Sequence, residues 1–230
     1  SLKDVLEMNN KKRETLLLMC AGKKQGQLMK AVCLSSQLTK TVLEGALAVQ
    51  GPDGETPLAL CHDEEILVEI LKSVEFEKMN ITKVDKKGKN LLHRLAQKDF
   101  NLAMEHIISC LPPNQLQDML LQPSSSNKSN VLMSAAIHSS EKCLKLLLPW
   151  ISTWRCLKTE KEIDINKILH WTNDYGYTLL GLALQHKDAL QVPIHILLGL
   201  EREFHTKSGG QNDLTKCFKE NLIPSIEVHE

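Results

Sequence analysis

Aromatic residues are scarce in this sequence, at 4% of 230 residues, and its 28 basic and 28 acidic residues cancel to a formal net charge of zero. Few aromatics favour thin layers filled by Leu, Ile and Ala over the thick core of a β-sandwich. A neutral chain has no general attraction for nucleic acid or for an anionic membrane surface. No run of 18 apolar residues occurs, so the sequence predicts no membrane-spanning helix.

Motifs of the common enzymes and metal sites are missing as well. The sequence contains no Walker loop, no GxGxxG, no HExxH and no CxxC pair. Its seven cysteines and nine histidines do not form two pairs at the ligand spacing of a zinc site. We therefore expect no catalytic residue, no metal site and no cofactor. We also expect reduced thiols in an intracellular compartment, the cytoplasm, the nucleus or both.

A polar turn followed by two short helical segments is present at residues 85–108. Asp85 to Gly88 form the turn, and Gly supplies the backbone freedom that a turn needs. Apolar residues in 91–96 and 102–108 then recur at offsets of three and four, which is typical of helix faces. A unit of this size cannot bury its own apolar faces, so it needs copies of itself alongside.

The sequence contains four further copies of this unit. Each first helix follows a Thr or Asn, whose side chain can accept a backbone hydrogen bond at a helix start. These residues are Thr15, Thr56, Asn90, Asn130 and Thr178. Between the copies, residues 38–47 carry apolar residues at helical offsets, which predicts an inserted helix, and residues 115–121 offer another short apolar turn. The stretch 123–130 is the most polar and is expected to be a mobile loop.

The pattern resembles the ankyrin repeat, whose consensus is D-x-x-G-x-T-P-L-H-x-A-A followed by a second helix that ends in Leu-Leu. The second copy keeps Thr56-Pro57-Leu58, and the third keeps the histidine as His93. The resemblance implies an all-α solenoid of stacked helical hairpins with inserted helices and loops. We divide the chain into an N-terminal cap segment (1–8), an ankyrin-repeat domain of about five repeats (9–206), and a linker with a C-terminal capping helix or tail (207–230).

The same resemblance implies a non-enzymatic module, an adaptor or regulatory subunit in signalling or transcriptional regulation. Such a module binds a protein partner on a concave face made by the turns at its finger tips and by its first helices. The candidate partner-binding residues at these positions are Lys11, Lys12, Lys23, Lys86, Lys87, Lys89, Gln97, Lys98, Ile137, His138, Tyr175, Tyr177 and Gln185. The first and third tips are basic and the fifth is aromatic, so we expect an acidic partner segment with an apolar or aromatic anchor.

Three alternatives stay open at this point. The tip lysines can be ordinary solubilising residues of an exposed surface. The basic tips can bind nucleic acid, although Asp53, Glu55 and Asp174 interrupt the continuous basic stripe that a duplex requires. The chain can also be a regulatory fragment of a larger enzyme or channel. In none of these readings is a membrane the partner.

Overall fold

The computed structural model describes residues 2–75, 79, 81–154 and 168–207, with the backbone alone at 150–154 and 201–207. Throughout these ranges the chain forms helices and turns, and no strand occurs in them, which confirms the all-α class. None of the helices in this part of the chain is both long and apolar enough to cross a membrane. The tail that was expected to follow residue 207 lies outside the described residues.

Five pairs of helices form hairpins at the places where the sequence predicts them. The helices are α1 Leu2–Glu7, α2 Leu16–Gly22, α3 Gly26–Cys33, α4 Lys40–Leu47, α5 Pro57–Leu60, α6 Glu64–Lys72, α7 Leu91–Lys98, α8 Asn101–Cys110, α9 Pro113–Leu121, α10 Val131–Ile137, α11 Glu141–Trp154, α12 Leu179–Gln185 and α13 Gln191–Lys207. The hairpins are α2–α3, α5–α6, α7–α8, α10–α11 and α12–α13. The inserted helix predicted at 38–47 is present as α4, and the short apolar turn expected at 115–121 belongs to a nine-residue helix, α9.

The hairpins pack side by side in two layers. The first helices contact one another in the order α2, α5, α7, α10 and α12, and the second helices do so in the order α3, α6, α8, α11 and α13. Their buried Leu, Ile, Met and Ala side chains belong to one contiguous apolar cluster. Each hairpin therefore covers the apolar face that its neighbour cannot cover for itself.

Side-chain caps fix where each first helix begins. Thr15, Thr56, Asn90, Asn130 and Thr178 each accept a hydrogen bond from the backbone N–H three residues on, as predicted. At α7 the cap is reciprocal, because Asn90 N–H also donates to His93 Nδ1 at 3.4 Å. The other ring nitrogen of His93 lies 3.3 Å from the carbonyl oxygen of Ser129, in the next repeat.

Each first helix is preceded by a tight turn, which we call a tip turn. The five tip turns are residues 10–14, 51–55, 85–89, 124–129 and 173–177. In four of them the first residue donates its N–H to the carbonyl oxygen of the residue four positions on, at 2.8–3.1 Å. The fourth tip turn is one residue longer and closes in the same way, between Ser124 and Ser129, at 2.9 Å.

The corner of each tip turn has a left-handed backbone conformation. Glycine occupies three corners, as Gly54, Gly88 and Gly176, whereas the other two corners are Arg13 (φ 63°) and Lys128 (φ 56°). Residues 123–130, expected as a mobile polar loop, instead form the fourth tip turn, in which Ser124 and Ser129 are buried. A lysine stands at its corner, where glycine is the usual residue for this conformation.

Backbone hydrogen bonds join neighbouring tip turns into a row. They connect the second turn to the third, the third to the fourth and the fourth to the fifth, as Lys86 N–H to Asp53 O (2.9 Å), Ser125 N–H to Lys87 O (2.8 Å) and Asp174 N–H to Asn127 O (3.0 Å). The backbone itself therefore holds the second to the fifth tips at fixed spacing.

We expect Gly88→Ala to destabilise the chain more than Gly176→Ala. Both corners have positive φ, +69° and +78°, but a Cβ at Gly88 would lie 2.5 Å from the backbone nitrogen of Ser125, whereas nothing lies within 4 Å at Gly176. Urea unfolding should show a loss of about 2–4 kcal/mol for Gly88→Ala and about 1 kcal/mol for Gly176→Ala. Equal losses would mean that the contact between the third and fourth tips adds nothing.

The protonation of His93 should make stability depend on pH. Burial lowers the pKa of His93 from 6.5 to about 4 in the folded chain. The unfolded chain thus binds more protons between these values, so stability should fall by up to about 3 kcal/mol as the pH drops from 6.5 to 4. In His93→Gln, urea unfolding across this range should show a smaller fall; an unchanged fall would contradict this role.

Candidate functional site

The expected partner-binding residues lie on the tip turns and at the ends of the first helices. Eight of them are exposed: Lys11, Lys12, Lys23, Lys86, Lys87, His138, Tyr175 and Gln185. Five are half-buried: Lys89, Gln97, Lys98, Ile137 and Tyr177. The row of tip turns brings those at the third and fifth tips onto one continuous edge of the molecule, which sequence separation alone does not show.

In three tip turns, the side chain of the first residue accepts hydrogen bonds from the backbone N–H groups of two later residues of the same turn. Asp85 Oδ1 accepts hydrogen bonds from Lys87 N–H (2.8 Å) and Lys89 N–H (3.0 Å). Asn173 Oδ1 accepts in the same way from Tyr175 and Tyr177, both at 3.0 Å. The candidate lysines and tyrosines are therefore held by their own backbone, which lowers the entropy lost when they bind.

The first tip turn follows the same rule. Asn10 Oδ1 accepts hydrogen bonds from Lys12 N–H (2.8 Å) and Glu14 N–H (3.0 Å). In each of these three turns the residue two positions after the acceptor, Lys12, Lys87 or Tyr175, is exposed. The same backbone device therefore presents a cation at two tips and an aromatic ring at a third.

A buried charge cluster lies between the second and third tip turns. The Arg94 guanidinium on α7 pairs with Asp85 Oδ2 and, at 3.1 Å, with Glu55 Oε1. The side chains of Arg94, Asp85 and Glu55 are 19%, 3% and 21% exposed. Sequence reasoning missed this cluster, because its members lie 9 and 39 positions apart.

The acidic second tip also meets the basic third tip at the surface. Lys86 Nζ lies 3.8 Å from Asp53 Oδ1, and these side chains are 70% and 77% exposed. In the described part of the chain, the ammonium groups of Lys11, Lys12 and Lys87 form no ion pair. The acidic residues of the second tip, Asp53 and Glu55, therefore pair with Lys86 and Arg94. The charges of Lys11, Lys12 and Lys87 stay available to a partner.

Lys98, one of the expected partner-binding residues, forms hydrogen bonds inside the fold. Its Nζ donates to the carbonyl oxygens of Ala59 (2.8 Å) and Cys61 (2.5 Å) at the end of α5. Burial lowers the pKa of the Lys98 ammonium to about 8. Because α5 has four residues whereas α2 has seven and α7 has eight, Lys98 supplies hydrogen bonds that a further turn of α5 would have formed.

The fifth tip turn carries the aromatic end of the row. It holds both tyrosines of the chain. Tyr175 is 70% exposed, while Tyr177 packs partly against the core. Trp171, which the sequence did not single out, donates its Nε1–H to the carbonyl oxygen of Lys128 at 2.9 Å. The indole thereby ties the fourth tip to the fifth beneath the exposed Tyr175.

Several carboxylates are engaged inside the fold. Asp63 Oδ1 caps α6, and Glu64 Oε1 accepts from Leu102 N–H (2.7 Å) at the start of α8 in the next hairpin. Asp99 Oδ1 accepts in the same way from Cys143 N–H (3.0 Å), on α11. A helix N-terminus partly offsets a carboxylate charge. These three carboxylates therefore have structural roles at the hairpin turns.

The described residues contain no group of three His, Cys, Asp or Glu side chains that could hold a metal ion. No protein-family model and no curated protein matches the sequence. The function of the chain therefore has to be inferred from its own residues.

Removing the Arg94 guanidinium should cost far more stability than removing the Lys86 ammonium. Arg94→Met leaves the nearly buried carboxylate of Asp85 without its cation, so we expect a loss of about 2–3 kcal/mol, discounted for the partial exposure of the cluster. Lys86→Met removes an exposed pair and should cost at most about 0.5 kcal/mol. Urea unfolding at neutral pH measures both; comparable losses would contradict the assignment of Arg94 as the buried partner.

Proposed function

We propose that the chain is an ankyrin-repeat protein that acts as a non-enzymatic adaptor or regulatory subunit. It binds a protein partner along the row of tip turns and the adjoining first helices. The observation that carries this proposal is that three tip turns present Lys12, Lys87 and Tyr175 from the same position of the turn.

The repeated geometry supports the family assignment. The ankyrin consensus places an Asp and a Gly in the turn, a Thr before the helix and a His inside it. Here Asp85 accepts the backbone hydrogen bonds of its turn, Gly88 occupies the left-handed corner and His93 closes the helix cap. The same roles recur in the other copies even where the residues differ, as at Arg13 and Asn173.

Charge and exposure together support an acidic partner. Lys11, Lys12 and Lys87 are exposed, and Tyr175 at the fifth tip is a large, exposed aromatic side chain. Charge complementarity speeds association and favours specificity, whereas a buried aromatic side chain supplies much of the affinity. The partner is therefore an acidic protein segment with an apolar or aromatic anchor, bound inside the cell.

Nucleic acid fits this surface less well. A duplex presents a continuous line of phosphates, but the row of tips alternates in charge, with Asp53 beside Lys86 and Asp174 beside Tyr175. The three ion pairs that Lys86 and Arg94 form with carboxylates of the second and third tips further reduce the free positive charge. A protein partner with its own pattern of charges fits this alternation better.

The tip surface can be tested by affinity capture with matched charge reversals. The tip variant is Lys12→Glu with Lys87→Glu, and the control is Lys72→Glu with Lys142→Glu, which changes the charge equally on exposed residues of the second helices. Proteins captured from cell lysate by the unmodified chain should bind the tip variant at least about tenfold more weakly. They should bind the control variant as they bind the unmodified chain.

Two outcomes would count against the proposal. Equal capture by the unmodified chain and the tip variant would show that the tip lysines are solubilising residues. Equal loss in both variants would show a response to net charge and not to the tips. Circular dichroism and urea unfolding of each variant ensure that a lost partner does not reflect a lost fold.

A further inference from the structure

The second hairpin departs from the others at its turn. Helix α5 ends at Leu60 after a single turn, and Cys61 continues with extended backbone (φ −54°, ψ 135°). The chain then reaches Asp63, which caps α6 through a 3.1 Å hydrogen bond from Ile66 N–H. A first helix of ordinary length would occupy the space beyond Leu60, between its two neighbours.

A side chain fills this space on the side of α7, whereas the space is open on the side of α2. Towards α7, the Lys98 side chain reaches across to the carbonyl oxygens at the end of α5. Towards α2, a cleft of about 360 Å³ lies between the turns of the first and second hairpins. Its floor is formed by Ala21, Met29, Cys61 and Ile66. We call this space the turn cleft.

The rim of the turn cleft holds one cation and one exposed imidazole, Lys24 and His62. Lys24 is exposed and forms no ion pair among the described residues. The carboxylate of Asp63 is also on the rim, but its Oδ1 is held by the first turn of α6, which partly offsets its charge. Partial burial and the ammonium groups of Lys98 and Lys24 lower the pKa of His62, which places both cations within electrostatic reach of its ring.

We propose that the turn cleft receives a leucine-sized side chain of the acidic partner, with an adjacent carboxylate of that partner held by Lys24 and His62. The cleft volume lies near the lower end of small-molecule sites, about 300–1,000 Å³, and suits one or two side chains. The inference rests on the proposed function and adds where the anchor of the partner enters. Lys23, an expected partner-binding residue, directly precedes Lys24 at the same turn.

The test uses two capped dipeptides of equal size, N-acetyl-Leu-Glu-amide and N-acetyl-Leu-Gln-amide, added to the full chain. Methyl NMR signals of Met29 and Ile66, which line the turn cleft, should shift in a saturable way with the Glu peptide. Those of Met104 and Ile107, buried in α8, should not shift. The Glu peptide should bind at least about fivefold more tightly than the Gln peptide, and Lys24→Gln should remove that difference.

Absence of shifts at Met29 and Ile66, or equal binding of the two peptides, would overturn the inference. Shifts of the same size at the control methyl groups would show nonspecific binding and would overturn it as well. If the peptides fail while the tip variant still loses its partner, the turn cleft is wrong and the proposed function stands. If the peptides bind while every partner binds the tip variant unchanged, the tip surface is wrong and the cleft stands.

Discussion

No hairpin in this chain can cover its own apolar faces, and the polar contacts follow the same constraint. Many long-range hydrogen bonds reach about one repeat along the chain, at separations such as 38 residues for Leu102 N–H to Glu64 and 44 residues for Cys143 N–H to Asp99. In both, an acidic residue at one hairpin turn caps the second helix of the next hairpin. Each repeat thus completes its neighbour, so stability is a property of adjacent pairs more than of single units.

This dependence on neighbouring hairpins also determines which charged side chains are engaged inside the fold and which stay exposed. A carboxylate can accept several backbone N–H bonds, as Asp85 and Glu64 do, whereas an ammonium group can only donate. Backbone N–H groups at helix starts and in tight turns need acceptors, so acids are drawn into the fold. The exposed tip lysines Lys11, Lys12 and Lys87 meet no comparable demand, whereas Lys98, at the end of α7, donates to the carbonyl groups left by a short helix. A chain with zero formal charge thereby keeps exposed cations at its first and third tips, although the row of tips as a whole alternates in charge.

Local sequence patterns made much of the fold predictable. The contacts between repeats were not predictable from such patterns. The caps of Thr15 and Asn90 and the inserted helix α4 depend on a few consecutive residues, which the sequence shows directly. Arg94, by contrast, pairs with Glu55 from the preceding repeat, 39 positions away. The closed geometry of the fourth tip turn was not predicted either, because Lys128 stands at the corner where glycine is usual.

The tip turns also differ in how firmly they are held, and this bears on which of them can govern affinity. The third turn is fixed by the hydrogen bonds that Asp85 accepts within it, by the ion pair of Asp85 with Arg94, and by backbone bonds to both the second and the fourth turn. The fifth is joined to the fourth through one backbone bond and Trp171. Preorganised side chains lose less entropy on binding. Lys87 is therefore the most strongly preorganised cation of the row, and Tyr175 has more freedom to adapt its ring to the partner that we propose.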